Sequence, residues 1–396
     1  MKTCYFCSQT LSPKPLLRIP DSPFTDSFTA SVLEAKNCFK ADISIFQCPS
    51  CGVVQNPLPL CSQDYYQDYE YTSSRSPLVA NFMRDLAEHC IKLYSDLNHS
   101  PPTLVLEPGS GDGFQLKCFQ EHGLTVQGIE PSYSLTQAAI ANGCDTICSL
   151  FDSTISSRLP HVQYDIVISS YTFDHSPDPL QFLETAYNCL RQDGLLCLEV
   201  HDVSLIQRRC EFSLFEHEHT VYLNAAQLEH ILMASGFKLI SHNPFPQAHT
   251  RANSLIVIAQ KLLTKSPLNL PIIHSCSTDL RDIQAQLHNT VSRLDSWVTS
   301  RSSNSLVGYG AGGRGVMTLA QLSQATSFKA LLDISYRNTQ LYTPLSAIPV
   351  VGPERFQLYA NSDVLVFSFG YFQEILAHLL SLGYKNERIF NYLDIA

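Results

Sequence analysis

The chain has 396 residues, of which 44% are hydrophobic and 16% charged, a composition that builds two or three globular cores and excludes a fibrous or disordered chain. Its 36 acidic against 26 basic residues leave a net charge of −10, which sets aside nucleic acid and anionic membrane surfaces as partners. No apolar run reaches the roughly 20 residues of a membrane helix and the first residues carry no signal-peptide pattern, so a cytoplasmic protein is expected.

In chain order, the pairs Cys4-x-x-Cys7 and Cys48-x-x-Cys51 come first. Each fits a knuckle whose two thiolates supply half of a tetrahedral zinc site, and Gly52 gives the tight backbone after the second pair. Two coincidental pairs, or a disulfide, are the alternatives. With four thiolates the coordination is full, so the metal would be structural. The other ten of the 14 cysteines fall, like Cys118, Cys189 and Cys197, in apparent core segments and read as small apolar side chains in a reducing compartment.

Residues 61–76 are a polar connection with tyrosines at 65, 66, 69 and 71. Such phenols either cover a seam between domains or line a sugar or cofactor cleft. A helix over 78–98 follows, with Leu78, Phe82, Leu86, Cys90 and Leu93 on one face, broken by Pro101-Pro102. The pattern then alternates. Strand 104–106, helix 114–122, strand 125–129, helix 134–142, a short strand near 145–148, strand 164–169, helix 179–190 and strand 195–200 predict an α/β fold with a parallel sheet and crossovers.

Ligands of such sheets sit at the carboxyl ends of the strands. There the sequence reads Leu104-Val-Leu-Glu-Pro-Gly-Ser-Gly-Asp-Gly113, a turn in which Gly109, Gly111 and Gly113 let the backbone approach a ligand closely. Glu130 ends the next strand, 17 residues after Gly113, where a carboxylate can accept both hydroxyls of a ribose. Glu107, the three glycines, Glu130, Phe151, Ser170 and His175 are therefore candidate cofactor contacts. Glu130 and Asp152 as plain helix caps, and Phe151 as a core residue, stay open. The loop lacks the Gly-x-Gly-x-x-Gly spacing of NAD sites, which favours S-adenosylmethionine.

After Glu199 the segment Glu216-His217-Glu218-His219 interrupts an otherwise apolar stretch, as an active site does. His-x-His can also bind metal, but no third ligand stands at a suitable spacing. A helix over 228–234 and a strand over 237–242 follow, then a connection and an amphipathic helix around Leu280, Ile283, Leu287, Val291, Leu294 and Trp297. Beyond them Gly308-Tyr-Gly-Ala-Gly-Gly-Arg-Gly315 opens a helix, and Asp333 ends a strand 18 residues after Gly315. Further strands are expected at 364–369 and 388–391. This is a second Rossmann-like half, either a nucleotide site or a fold that binds nothing.

In this order, Cys4/Cys7/Cys48/Cys51, Tyr69-Glu-Tyr71-Thr-Ser-Ser74, Glu107-Pro-Gly-Ser-Gly-Asp-Gly113 with Gly128-Ile-Glu-Pro-Ser132, His175-Ser-Pro-Asp178, His217-Glu-His219 and the turn at 308–315 resemble the three-domain sugar C-methyltransferases. The resemblance covers nearly the whole chain. It implies a zinc-binding module over 1–60, a class I (Rossmann-like) methyltransferase domain over 61–260, and a C-terminal domain over 261–396 that holds a nucleotide-linked sugar. It implies an S-adenosylmethionine-dependent C-methyltransferase of the EC 2.1.1 class acting on a dTDP-type keto-deoxysugar, as a monomer or weak homo-oligomer. Glu218 and His219 then match the acid and the general base. Where the family has a tyrosine before its His-Glu-His run, this chain has Glu216.

Carbon methylation needs a base near neutrality to remove a hydrogen beside a ketone, and imidazole suits that task. The enolate oxygen that forms needs a donor, for which Tyr71, His175 and Tyr222 are candidates. Tyr222, Tyr309, Gly310, Arg314 and Asp333 are candidate substrate contacts. An O-methyltransferase, an NAD(P)-dependent oxidoreductase and a non-catalytic nucleotide-sugar binding protein are the other readings.

Overall fold

The computed structural model describes residues 2–59, 76–161, 163–264, 278–301, 305–336 and 341–396. It divides into two compact units that interleave along the chain. The first comprises Met1–Lys14, Phe46–Ser204 and Glu218–Thr278, and the second Pro15–Ile45, Leu205–His217 and Asp279–Ala396.

In the second unit, β1 (Leu17–Pro23) pairs antiparallel with β2 (Lys40–Gln47), from Leu17 opposite Ile45 to Pro23 opposite Lys40, and helix α1 (Val32–Lys36) lies between them in sequence. The last two residues of β2, Phe46 and Gln47, lie in the first unit and pair with β3 (Val54–Gln55).

The first unit continues with helix α2 (Pro77–Asn98), capped by the Ser76 hydroxyl, with Pro77 in its first turn. Its buried stripe of Val79, Phe82, Met83, Leu86, Ala87, Cys90 and Tyr94 has the helical period that the sequence shows. Then β4 (Leu104–Pro108), α3 (Phe114–Gln120), β5 (Thr125–Glu130), α4 (Tyr133–Ala141), β6 (Thr146–Cys148), β7 (Tyr164–Ser170), α5 (Pro179–Cys189) and β8 (Leu190–His201) alternate as expected. Helix α6 (Val203–Arg209), strand β9 (Val221–Tyr222), helix α7 (Ala225–Ala234), β10 (Phe237–His242) and β11 (Ser254–Lys261) follow. The strands form a seven-stranded sheet in the order β10-β11-β8-β7-β4-β5-β6. The first five in sequence, β4 to β8, run parallel, and β11 inserts antiparallel between β8 and β10.

Strand order reverses between β4 and β7, which marks the crevice where a doubly wound sheet takes its ligand. The core is continuous across the unit. Leu106, Ile129, Val167, Leu196, Leu198, Phe182 and Phe237 share one buried cluster with Phe6, Leu11, Phe46 and Val53 around the cysteines. Each such side chain contributes about 1.5–3 kcal/mol of transfer free energy. Buried Asp165, at the start of β7, accepts from the Thr103 and Leu104 amides at 2.7 and 2.9 Å and from the Tyr94 hydroxyl, joining α2 to the head of β4. Burial pushes its carboxyl up, but these hydrogen bonds outweigh it and hold the pKa below the usual value.

In the second unit, helix α8 (Ile283–Ser300) buries Ile283, Leu287, Thr290, Leu294 and Val298. Then β12 (Leu306–Tyr309), α9 (Gly313–Gln321), β13 (Phe328–Leu332), β14 (Leu341–Tyr342), β15 (Pro349–Val351), β16 (Asp363–Val366), α10 (Phe372–Ser381) and β17 (Ile389–Asn391) complete a six-stranded sheet of order β14-β15-β13-β12-β16-β17. All its pairs are parallel except β14 with β15. The fold is α/β with two Rossmann-like sheets, as the sequence predicts. The strand expected over 364–369 ends earlier, at Val366, because a 3-10 turn begins at Phe369. Of the ten remaining cysteines, Cys61 and Cys276 lie outside the described residues, and the other eight are not uniformly interior. Cys90, Cys118, Cys144, Cys189 and Cys197 are buried, Cys38 and Cys210 are half-buried, and Cys148 is exposed. No described helix is long and apolar enough to cross a membrane.

Candidate active site

Buried Glu107 is the penultimate residue of β4, and the turn after the strand takes positive φ at alternate positions, Gly109 (72°), Gly111 (53°) and Gly113 (80°). A Cβ on Gly109 would lie 2.0 Å from Thr172 Oγ1, so the turn abuts the segment that leaves β7. A Cβ on Gly111 would meet nothing within 4 Å. The Gly109 amide donates to the Ile129 carbonyl at 2.7 Å and the Gly111 amide to Glu130 Oε2 at 2.8 Å, while Glu130 Oε1 accepts from the Ser132 amide at 2.8 Å. The acid at the end of β5 thus shapes the glycine turn.

The same turn is short of internal partners. Glu107 Oε2, Ser110 Oγ and, at the end of β7, Ser170 Oγ are buried with no hydrogen-bond partner among the described residues. Burial, with Asp112 nearby, pushes the Glu107 carboxyl well above the usual range, and burial raises Glu130 against the pull of its two amide donors. Open space at Gly111, on a turn whose neighbourhood in the chain carries unmet buried polar groups, fits a polar cofactor such as S-adenosylmethionine. Phe151 is half-buried and packs its ring against Phe182 with centroids 4.8 Å apart, at the margin of the core.

From β7 the chain turns at Tyr171, whose φ of 49° is unusual for a side chain of that size. The 3-10 turn Phe173–His175 then presents His175. Its ring meets that of His219 edge-on, with centroids 4.6 Å apart and planes at 72°. The segments that carry the two rings are joined next to them. The Asp174 carbonyl accepts both the Thr220 amide at 2.7 Å and the Thr220 hydroxyl at 2.9 Å. Thr220 leads into β9, which pairs with β3.

Sequence reading did not single out His201, the last residue of β8. Its ring lies 4.7 Å from that of His219, and its Nδ1 is 2.7 Å from Asp174 Oδ2. The rule that sites gather at carboxyl strand ends would have found it, had the strand been read one residue past Val200. Fully buried Tyr222 stands 5.8 Å from the His219 ring. Burial, together with His219, drives the His175 ring pKa down to about 3, so that imidazole is neutral at physiological pH. Buried Arg251, also unanticipated, has Nη1 3.6 Å from Glu199 Oε2 and its guanidinium 5.0 Å from the Tyr171 ring centre, and its charge lowers Glu107. Tyr71 lies outside the described residues.

The His-x-His pair itself does not form a donor set, but another cluster does. His175, Glu218 and His219 each bring a ligand atom within 4.8 Å of the others. His217 instead belongs to the second unit, where its Nε2 donates to the Ser22 carbonyl at 2.8 Å.

In the second unit the glycine turn repeats the construction of the first. The Gly310 amide donates to the Leu332 carbonyl at 2.8 Å and the Ala311 amide to Asp333 Oδ2 at 2.8 Å, while Asp333 Oδ1 accepts from Ser335 at 2.8 Å. Tyr309 is buried at the end of β12, and Gly310, with φ of 104°, faces Ser368 so closely that a Cβ would lie 2.1 Å from its Oγ. Arg314 pairs with buried Glu211 at 3.3 Å and lies over Phe369. Glu216 is packed onto the first residue of α9, where a Cβ on Gly313 would lie 2.1 Å from its Oε1, and Thr25 donates to its Oε2 at 3.1 Å. Burial and the neighbouring Asp26 raise the Glu216 carboxyl to about 8.

The cysteines form a cluster of their own. Sγ of Cys4 is 3.6 Å from that of Cys51, Cys7 is 3.5 Å from Cys48, and all four lie within 4.8 Å of one another. These are not disulfide distances. A tetrahedron of thiolates at about 2.3 Å from zinc has edges of about 3.8 Å, so the donor set fits a structural zinc. Each knuckle closes on itself, Ser8 amide to Cys4 carbonyl at 3.0 Å and Gly52 amide to Cys48 carbonyl at 2.9 Å, with φ of 57° and 74° at Ser8 and Gly52.

A methyltransferase-domain family model matches residues 80–242. Over 328 residues the chain is 22% identical to the C-methyltransferase NovU of Streptomyces niveus, covering 78% of this chain and 76% of that protein. Among solved structures it is similar to the Burkholderia thailandensis 1,6-didemethyltoxoflavin-N1-methyltransferase (16% identity, 53% of this chain and 95% of that one, TM-score 0.39). It is also similar to the plantazolicin methyltransferase BpumL (17%, 46% and 85%, TM-score 0.38). Residues 80–242, which hold the glycine turn, Glu130, His175 and His219, are a methyltransferase domain, and the protein is an S-adenosylmethionine-dependent methyltransferase of the EC 2.1.1 class.

Proposed function

We propose that the enzyme methylates a carbon next to a ketone in a nucleotide-linked keto-deoxysugar, with His219 as the base. The observation that carries this reading is a chain of contacts beyond the carboxyl ends of the central strands of the first sheet. The glycine turn abuts Thr172, and His175, three residues on, abuts His219. A basic ring so placed stands at the strand ends where the cofactor's reactive end belongs.

In this reading Glu107, Gly109, Gly111, Gly113, Glu130 and Ser170 hold the cofactor, which supplies an electrophilic methyl when bound. His219 takes the proton from the carbon, and Glu218, adjacent in sequence, stabilises the imidazolium that results. His175, kept neutral by desolvation of its ring and by the neighbouring His219, donates to the enolate oxygen without bringing a competing positive charge, with Tyr222 and Tyr71 as further donors. The name of the Streptomyces relative, a C-methyltransferase, supports carbon as the acceptor.

The same reading assigns residues 1–60 to a module stabilised by zinc on Cys4, Cys7, Cys48 and Cys51. It assigns 61–260 to methyl transfer, and 261–396 to the nucleotide portion of the substrate through Tyr309, Gly310, Arg314 and Asp333.

The test is a panel of nucleotide-linked keto-deoxysugars incubated with methyl-labelled cofactor and, separately, in deuterated water. Mass spectrometry should find the label on a ring carbon and solvent deuterium at the α position of the accepted sugar. Label on oxygen, without α exchange, would assign the enzyme to O-methylation instead.

A further inference from the structure

Two imidazoles and a carboxylate that meet within 4.8 Å form a recurrent donor set for divalent transition metals. Three protein ligands of this kind leave coordination positions open. We propose that His175, Glu218 and His219 bind a divalent transition ion such as Zn2+ or Co2+, at a site separate from the four cysteines.

Three features of the surroundings favour this occupant. All three ligands are buried or half-buried, so bulk water does not hold them apart. The two segments that carry them are tied together, since the Asp174 carbonyl takes both donors of Thr220 and the His175 amide donates to the Thr172 carbonyl at 3.1 Å. The carboxylate of Asp174, only 2% exposed, orients His201 against His219 through Oδ2, while its Oδ1 has no hydrogen-bond partner among the described residues. A cation beside it offsets that buried negative charge.

The consequence for activity rests on the proposed role of His219. Its lone pair cannot serve a metal and remove a proton at once, so the metal-bound enzyme is an inhibited state and free metal concentration regulates turnover.

The experiment titrates cobalt(II) into the full-length enzyme as isolated, with its cysteine-bound metal in place. One further equivalent should bind, giving weak visible bands of nitrogen and oxygen ligation and no intense near-ultraviolet thiolate band. H175A and E218Q should each weaken that equivalent by about tenfold or more, while circular dichroism and retention of the cysteine-bound metal show that both variants fold. No further equivalent, or binding undiminished in both variants, overturns the site. In a parallel assay zinc should inhibit methyl transfer and a chelator should relieve it. Binding at the site without inhibition supports the site and removes His219 as the base, so the two claims fail separately.

Discussion

The Gly111 amide donates to Glu130 Oε2 at 2.8 Å, so the acid expected to hold a ribose first holds the glycine turn. Each carboxylate oxygen of Glu130 takes one amide and retains a lone pair for a hydroxyl. Glu130→Ala therefore removes both functions, and loss of charge-assisted hydrogen bonds of about 1.5–3 kcal/mol predicts cofactor binding weaker by about 10–100-fold. Glu130→Gln, which keeps one acceptor, should fall between. Isothermal titration calorimetry with S-adenosylmethionine measures both, and unchanged affinity in Glu130→Ala would remove the acid from the cofactor site.

Two glycines of that turn should respond differently to alanine. At Gly109 an added methyl collides with Thr172 and must also adopt positive φ, so Gly109→Ala should cost about 2–5 kcal/mol of stability, visible as a lower melting temperature. At Gly111 the methyl enters open space and carries only backbone strain of about 1–2 kcal/mol. Gly111→Ala should therefore fold, yet lose cofactor affinity because its methyl fills the cradle.

His219→Ala should bind S-adenosylmethionine normally and lose methyl transfer by about 10²–10⁴-fold, together with α-hydrogen exchange into deuterated water. Retained exchange by nuclear magnetic resonance would mean that another group takes the proton.

The Glu216 carboxyl gives a pH prediction. Its pKa rises from 4.5 to about 8 on folding, chiefly through burial, so between those values the folded state holds a proton that the unfolded state has released. Stability must then fall as pH rises from about 4.5 to about 8, and level off above. Asp26, raised to about 6 by burial, adds to the lower part of that window. Glu216→Gln cannot ionise and should flatten the slope. Urea midpoints at pH 5 and pH 8 test this, and an equal pH dependence in wild type and variant would rule it out.

Cys4, Cys48 and Cys51 share the core cluster of the first unit, so metal loss reaches beyond the knuckles. Cys48→Ser or a strong chelator should release about one equivalent of zinc, measured by atomic emission, and lower the unfolding midpoint of the whole first unit. Full zinc content in the variant would show that the metal lies elsewhere.

Where the hydrophobic period was plain, as along Phe82, Leu86 and Cys90 of α2, the sequence alone located the element to within a residue or so. Runs alternating between Gly-rich turns and strands made β4 to β7 legible to within two residues, whereas β8 begins at Leu190, five residues before the expected 195, because the polar run Arg191-Gln-Asp-Gly194 reads as a loop. β11 escaped because six of its residues, Ser254 to Ala259, are buried in succession; a strand covered on both faces has no alternation to read. β1 escaped for a different reason, since prolines at 20 and 23 and a register shift between Ile19 and Ser22 break its pattern. In the site, Glu218 and His219 stood out because they are polar among apolar neighbours. His201 and Thr172 did not, because proximity across separate strand ends is set by topology and leaves no mark in local spacing.

One backbone oxygen, that of Asp174, receives two donors from Thr220. It ties the turn that carries His175 to the segment that carries His219, and the side-chain torsions of the two histidines then bring their rings together. Variants that reshape the surroundings of the two rings should leave this tie in place: the amide of position 220 supplies one of its hydrogen bonds whatever side chain stands there, and the threonine hydroxyl supplies the other.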